Sequence, residues 1–256
     1  MELACRRAVR LGLPSIAFTE HADFGTRRMA AGVTPPDWQR GMVDGLLLTP
    51  PPLDVQRYTQ SIERCRRMFP RLRILSGVEL GEPHRHPRRV AGLIREAGFE
   101  RLLASVHTLP DGAGVSTVDA AFGAYAPHEV VRRYLGEVLR LIERFDDFHV
   151  LAHIDYAARF WPGNGAGHPV TDFEDEYRAV LSVLAAKGRT LEVNTHGPPS
   201  LDLLRWWRAA RGEAITFGSD AHRCEQVARG FADAAALAAA AGFTPGRDPS
   251  GLWRRG

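Results

Sequence analysis

The sequence is short of sulfur, of long apolar runs and of massed charge, and each shortage removes a class of protein. Cys5, Cys65 and Cys224 are an odd number in 256 residues and none sits at CxxC spacing. Neither a disulfide framework nor a structural zinc knuckle is expected from them. No apolar run approaches the roughly 18 residues a membrane span needs, and no signal-peptide pattern opens the chain. The expectation is a cytoplasmic protein with no membrane partner. The formal charge is only +3 at pH 7. The sequence pI near 9.0 reflects arginines scattered through helical segments rather than gathered in a tract. Nucleic acid is therefore not an indicated partner, whereas a modestly basic field suits a small anionic substrate. Repeats, low-complexity tracts and a domain boundary are also missing, apart from one alanine-rich helix. Nothing in the sequence specifies an oligomeric state.

What is present is ordinary in bulk and ordered in pattern. Hydrophobic residues make up 45% and charged residues 25% of the chain, enough to bury a full core. "MELACRRAVRLGL" opens in mid-helical pattern with no strand before it. Short apolar strands then alternate with amphipathic helices, the strands apolar on both faces, which calls for a parallel sheet covered by helices. Six strand-helix units are legible, close to the number a closed barrel needs. We read residues 1–256 as one α/β domain. Residues 24–53, with Trp38 and several prolines, form an inserted loop or lid, read either as a cap over the substrate pocket or as a passive surface loop, and 111–126 and 159–171 are loops. Asp172 serves as a helix N-cap, and residues 244–256 form a frayed tail. Trp206 and Trp207 are packing residues.

The strand ends carry the chemistry. They finish at His21 in "TEH", Glu79 in "GVE", His107 in "SVH", His153 in "AHID", His196 in "VNTH", and Asp220 with His222 in "SDAH". In a parallel barrel these ends converge on one rim. A lone histidine at a strand end is ordinarily a hydrogen-bonded structural residue. Six strand ends that each finish in His, Glu or Asp would desolvate and repel one another unless something compensated them. Divalent cations do so, because imidazole and carboxylate suit zinc, manganese or iron. Residues i and i+2 of an extended strand point the same way, so Asp220 and His222 can reach one cluster. Ions about 3.5–4 Å apart activate water and clamp a phosphoryl group.

Taken in order, "FTEHADF", "GVELGE", "SVH", "AHIDY", "EVNTHG" and "ITFGSDAH" resemble the motifs of the PHP (polymerase and histidinol phosphatase) family, and "TEHADF" is similar to its histidinol-phosphatase-like branch. The resemblance spans nearly the whole chain. It implies a distorted, TIM-like (β/α)7 barrel with up to three divalent ions of zinc, manganese or iron. It further implies that Glu79 bridges two ions and that His107 and His153 complete the site it shares. His21 and His222 would serve another ion, and Asp220 would share the remaining one with Glu79. Glu79, His107, His153 and Asp220 would then be the catalytic core. The activity implied is hydrolysis of a small phosphomonoester, histidinol phosphate or similar, by metal-activated water.

Two other readings stay open: a phosphodiesterase or nuclease acting on nucleotides, and a truncated, impaired domain that works as a binding module. The family's opening strand, with its HxH motif, is not found ahead of Glu2. The expectation is a barrel without its first strand, explained by a reading frame that extends upstream of Met1 or by a true truncation. Arg159, Arg223 and His196 are candidate substrate contacts, since guanidinium binds phosphate bidentately. Asp23 and Asp155 are candidates for orienting imidazoles. His84 and His86 in "EPHRHP" are read as solvated.

Overall fold

The structure is a computed structural model that describes residues 1–163, 168–197, 200–248 and 250–256. The 159–171 connection and the "NTHGPPS" turn therefore lie partly outside the described residues. Strand β1 (Ser15–Ala22) pairs in parallel with β2 (Arg73–Gly81), and the register sets His21 directly beside Glu79. Next to β2 lies β3 (Arg101–Ser105), followed by β4 (Val150–Leu151), β5 (Thr190–Asn194) and β6 (Ala214–Gly218), all parallel. Their common direction brings every C-terminal end to one rim.

Helices α1 (Glu2–Arg10), α2 (Val55–Met68), α3 (Pro87–Ala97), α4 (Pro127–Arg144), α5 (Glu174–Ala186), α6 (Leu201–Ala209) and α7 (Phe231–Ala240) separate the strands. Local chemistry explains their limits. Asp54 caps α2 by accepting from the Arg57 N–H at 2.9 Å, and Ser200 caps α6 through Leu203 at 3.2 Å. Pro127 opens α4 where a missing N–H costs nothing. Its apolar positions Val130, Val131, Tyr134, Leu135, Val138, Leu141 and Ile142 are all buried, the stripe expected of a helix lying on a sheet. Gly98, at φ +57°, ends α3. Trp207 is fully buried with its indole N–H on the Ala214 carbonyl at 3.1 Å, and Trp206 is nearly so. Both pack, as the sequence indicates. No helix among the described residues is long and apolar enough to cross a membrane.

Four local expectations are corrected. The tail is not frayed: β7 (Phe243–Pro245) and β8 (Trp253–Arg255) pair antiparallel, and β8 adds to β6 through Ala214↔Arg254 and Ile215↔Trp253. Trp253 meets the Phe217 ring edge-on at 5.1 Å, which gives the tail an apolar anchor. The sheet order is thus β1-β2-β3-β4-β5-β6-β8-β7, a curled, open half-barrel whose first strand has one outer edge unpaired among the described residues. Residues 111–126 are not one loop. Thr108–Asp111 and Gly114–Thr117 form a hairpin turned at Gly112 (φ +57°), and Val118–Phe122 is helical. Within 24–53, Arg27–Arg28, Val43–Asp44 and Leu47–Leu48 join that hairpin in a small five-stranded sheet. Asp172 is not an N-cap: it lies in a 3-10 turn before α5, and its carboxylate meets His128 at 3.2 Å.

Candidate metal centre

Where β3 and β4 stop, His107 and His153 turn inward. His107 Nε2 lies 3.0 Å and His153 Nε2 2.8 Å from the same atom, Oε1 of Glu79. All three side chains are buried, and their donor atoms lie within 4.8 Å of one another. Burial opposes charge on Glu79, but the imidazoles of His21 and His153 and the hydrogen bonds from His107 and His153 hold it well below the usual carboxylate range. Burial likewise opposes charge on His107, yet Asp23 and Glu79 raise it well above the ordinary imidazole value.

Asp23 stands behind His107. Its Oδ1 lies 3.0 Å from His107 Nδ1, and its Oδ2 accepts from Arg27 Nη2 at 3.0 Å and sits 3.6 Å from His21 Nδ1. Burial works against the ionised Asp23, but His107 and Arg27 hold its carboxyl far below the normal range. Gly81 makes this possible, because a Cβ there would fall 2.0 Å from Asp23 Oδ1. The sequence reading of Asp23 as a group that orients an imidazole fits this contact. The structure adds a second donor set, His21, Asp23 and His107, also within 4.8 Å.

The other strand ends are placed less uniformly. His222 Nε2 approaches His21 Nε2 at 3.4 Å. Asp220, at φ +48°, turns its Oδ2 to Arg159 Nη1 at 2.8 Å, and Arg159 Nη2 donates to Asn194 Oδ1 at 3.1 Å. Asp220 and His222 stand outside the two compact donor sets among the described residues. His196 is tied to the turn, its backbone N–H on Asn194 Oδ1 at 2.9 Å and its ring 3.3 Å from Arg229. Arg223 is exposed and makes no ion pair among the described residues; its N–H meets Gln226 Oε1 at 3.1 Å. Asp155 is buried, and burial pushes its carboxyl up to about 6. It does not orient His153, whose Nδ1 has no partner.

His84 is corrected as well. Its side chain is buried against Glu137 at 2.7 Å, and Arg85 Nε donates to the same carboxylate oxygen at 2.9 Å. His86 rests on the Phe24 ring at 5.4 Å. Sequence reading could not rank Trp38 above a surface residue. In the structure its indole lies across both His222, with centroids 4.8 Å apart, and His21, at 6.0 Å.

These donors suit a divalent ion. Imidazole nitrogens and carboxylate oxygens are typical zinc ligands, and two nitrogens about 2.0–2.1 Å from a tetrahedral zinc stand roughly 3.4 Å apart. The His21–His222 separation of 3.4 Å matches that spacing. The Nδ1 atoms of His21 and His153 are buried with no hydrogen-bond partner among the described residues. Parallel strands that bring their ends to one such rim give a TIM-like α/β half-barrel with a candidate metal centre.

The PHP domain model matches residues 1–196, and the chain belongs to the PHP domain family. It is 27% identical over 246 residues to a histidinol-phosphatase of Lactococcus lactis, covering 92% of this chain and 83% of that protein. It is 30% identical over 141 residues to a probable histidinol-phosphatase of Thermotoga maritima, covering 52% and 53%. A crystal structure of histidinol phosphate phosphatase from Lactococcus lactis, complexed with zinc, L-histidinol and phosphate, superposes with a TM-score of 0.76 at 25% identity, over 94% of this chain and 87% of that one.

Proposed function

We propose that this chain is a metal-dependent phosphomonoesterase acting on histidinol phosphate or a similar small phosphomonoester. One observation carries the reading: two buried imidazoles from adjacent strands converge on a single buried carboxylate oxygen at 2.8 and 3.0 Å. The similarity to histidinol-phosphatases, one of them bound to zinc, histidinol and phosphate, supports it.

Glu79, His107 and His153 would hold one divalent ion, and His21, Asp23 and His222 offer donors for a second. Zinc is the ion we favour; manganese and iron suit the same donors, and Asp220 is a further candidate ligand that here pairs with Arg159. Bound divalent ions activate water and offset charge on the phosphoryl group. The chain's own residues do the rest. Asp23 keeps a proton on His107 Nδ1, which leaves Nε2 free to ligate. Arg159, aligned by Asn194, offers a guanidinium fork to phosphate oxygens. His196 lines the rim beyond Asn194, Arg223 forms its outer approach, and Trp38 covers it.

The test is phosphate release from histidinol phosphate, p-nitrophenyl phosphate and bis-p-nitrophenyl phosphate, with metal content measured alongside. Turnover of the monoesters, lost in Glu79→Gln and His153→Ala, is the expected result. Turnover of the diester alone, or no turnover with zinc, manganese or iron, rejects it.

A further inference from the structure

Two buried carboxylates that the proposed chemistry does not use lie directly behind its two converging imidazoles. Glu82, 4% exposed, comes just after β2, and its Oε1 accepts from the backbone N–H of both His107 and Thr108, the latter at 2.7 Å. Glu192, 6% exposed, lies within β5, and its Oε2 accepts from the backbone N–H of His153 and from Asn194 Nδ2, both at 3.0 Å. His107 and His153 each sit two residues beyond the end of their strands. Their amides have run out of strand carbonyls, and a carboxylate takes each one, Glu82 from the turn after β2 and Glu192 from within β5.

The chain reserves space for this arrangement. A Cβ on Gly218 would fall 1.9 Å from Glu192 Oε1, so the glycine in "TFGSDAH" leaves room for the Glu192 side chain. Two left-handed non-glycine residues also sit in the assembly, Glu82 at φ +44° and His153 at φ +20°. Such conformations persist only where the surroundings over-determine them. Each carboxylate takes buried N–H donors that an apolar side chain of similar size would leave unpaired. A single carboxylate oxygen that accepts from two N–H groups ties both to one point, which suits a positioning task.

We infer that Glu82 and Glu192 are positioning residues: they brace the backbones of His107 and His153 so that both Nε2 atoms reach the same oxygen of Glu79 before any ion arrives. This rests on reading Glu79, His107 and His153 as the metal-holding group. It does not depend on which ester is hydrolysed.

The experiment compares Glu82→Gln, Glu192→Gln, Glu82→Met and Glu192→Met in the full chain. Zinc affinity is measured by competition with a chromogenic chelator, and the amide proton shifts of His107 and His153 by NMR. Loss of a group that supports a metal ligand ordinarily costs about 10- to 100-fold in affinity. The methionine variants should lose that much, and the glutamine variants, which retain an acceptor, should recover most of it. Glu192→Gln should move the His153 amide proton and leave that of His107, and Glu82→Gln the reverse. Methionine variants that bind zinc like the parent, or glutamine variants as weak as methionine ones, overturn the inference. If the methionine variants do not fold, unmoved amide protons in the glutamine variants overturn it. A parent chain that binds zinc through these braces but releases no phosphate defeats the phosphatase reading and leaves the braces standing. Turnover with zinc affinity indifferent to both glutamates does the opposite. A parent chain with no zinc affinity defeats both.

Discussion

Asp23 and His107, 84 residues apart in sequence, meet side chain to side chain at 3.0 Å in a buried pocket wall. The pairing holds the Nδ1 side of the ring on Asp23 and so turns Nε2 toward Glu79. Asp23→Asn keeps the shape and removes the charge. Zinc affinity should fall about 10-fold or more, with the fold intact by circular dichroism. Affinity equal to that of the parent in chelator competition would remove Asp23 from the metal centre.

Gly218 tests how tightly the pocket floor is packed. In Gly218→Ala the new methyl would occupy the space of the Glu192 carboxylate, 1.9 Å away. Overpacking of this kind costs about 1–3 kcal/mol. Urea unfolding should show that loss, and the same variant should bind zinc more weakly. An alanine variant as stable as the parent would mean that Glu192 has somewhere else to go.

Glu137 gives a pH dependence of definite sign. Burial works against its charge, but the hydrogen bond to His84 and the charge of Arg85 lower its carboxyl from 4.5 to about 2. A carboxyl depressed on folding adds stability above its unfolded value, and that stability drains away as pH drops through the folded value. Glu137→Gln should therefore be less stable than the parent at pH 7 by on the order of 3 kcal/mol. The gap should shrink below about pH 4.5 and fall to less than half near pH 3. Urea midpoints at pH 7, 5 and 3 measure it; a gap that stays constant across that range contradicts the assignment.

Trp38 is 44% exposed, so removing it should barely touch stability. Surface replacements away from special features usually stay within about 0.5 kcal/mol. Because its ring lies over His21 and His222, Trp38→Ala should raise KM for the monoester several-fold and leave the melting temperature nearly unchanged. Saturation curves for parent and variant decide it, and an unchanged KM makes the covering segment a bystander.

Much of this architecture could be read before any coordinates. Apolar runs that stop at His21, Glu79, His107 and His153 gave both the parallel sheet and the residues that meet at its rim, since strand direction alone gathers such ends. The braces were invisible for a physical reason. Glu192 occupies a strand position that looks like any polar residue in "TLEVNTHG", and its role depends on space left by Gly218 one strand away. His84 looks solvated in "EPHRHP" because its partner Glu137 arrives from α4, 53 residues later. Asp220 pointed to the cluster by spacing, but its carboxylate pairs with Arg159, a competition that spacing cannot express. The tail looked weakly patterned because β8 has three residues and borrows its order from β6.

The 24–53 excursion is pinched shut at its base, where the hydroxyls of Thr26 and Thr49 stand 2.8 Å apart and the Met29 N–H meets the Leu46 carbonyl at 2.8 Å. A span with its two feet clasped in this way is a cassette. Arg27, which grips Asp23, sits at the clasped foot, so changes between residues 30 and 45 fall on the cover rather than on that grip. The stretch most open to diversification is thus the one that hangs over the rim, and one scaffold can be refitted for different guests while its mineral seat stays the same.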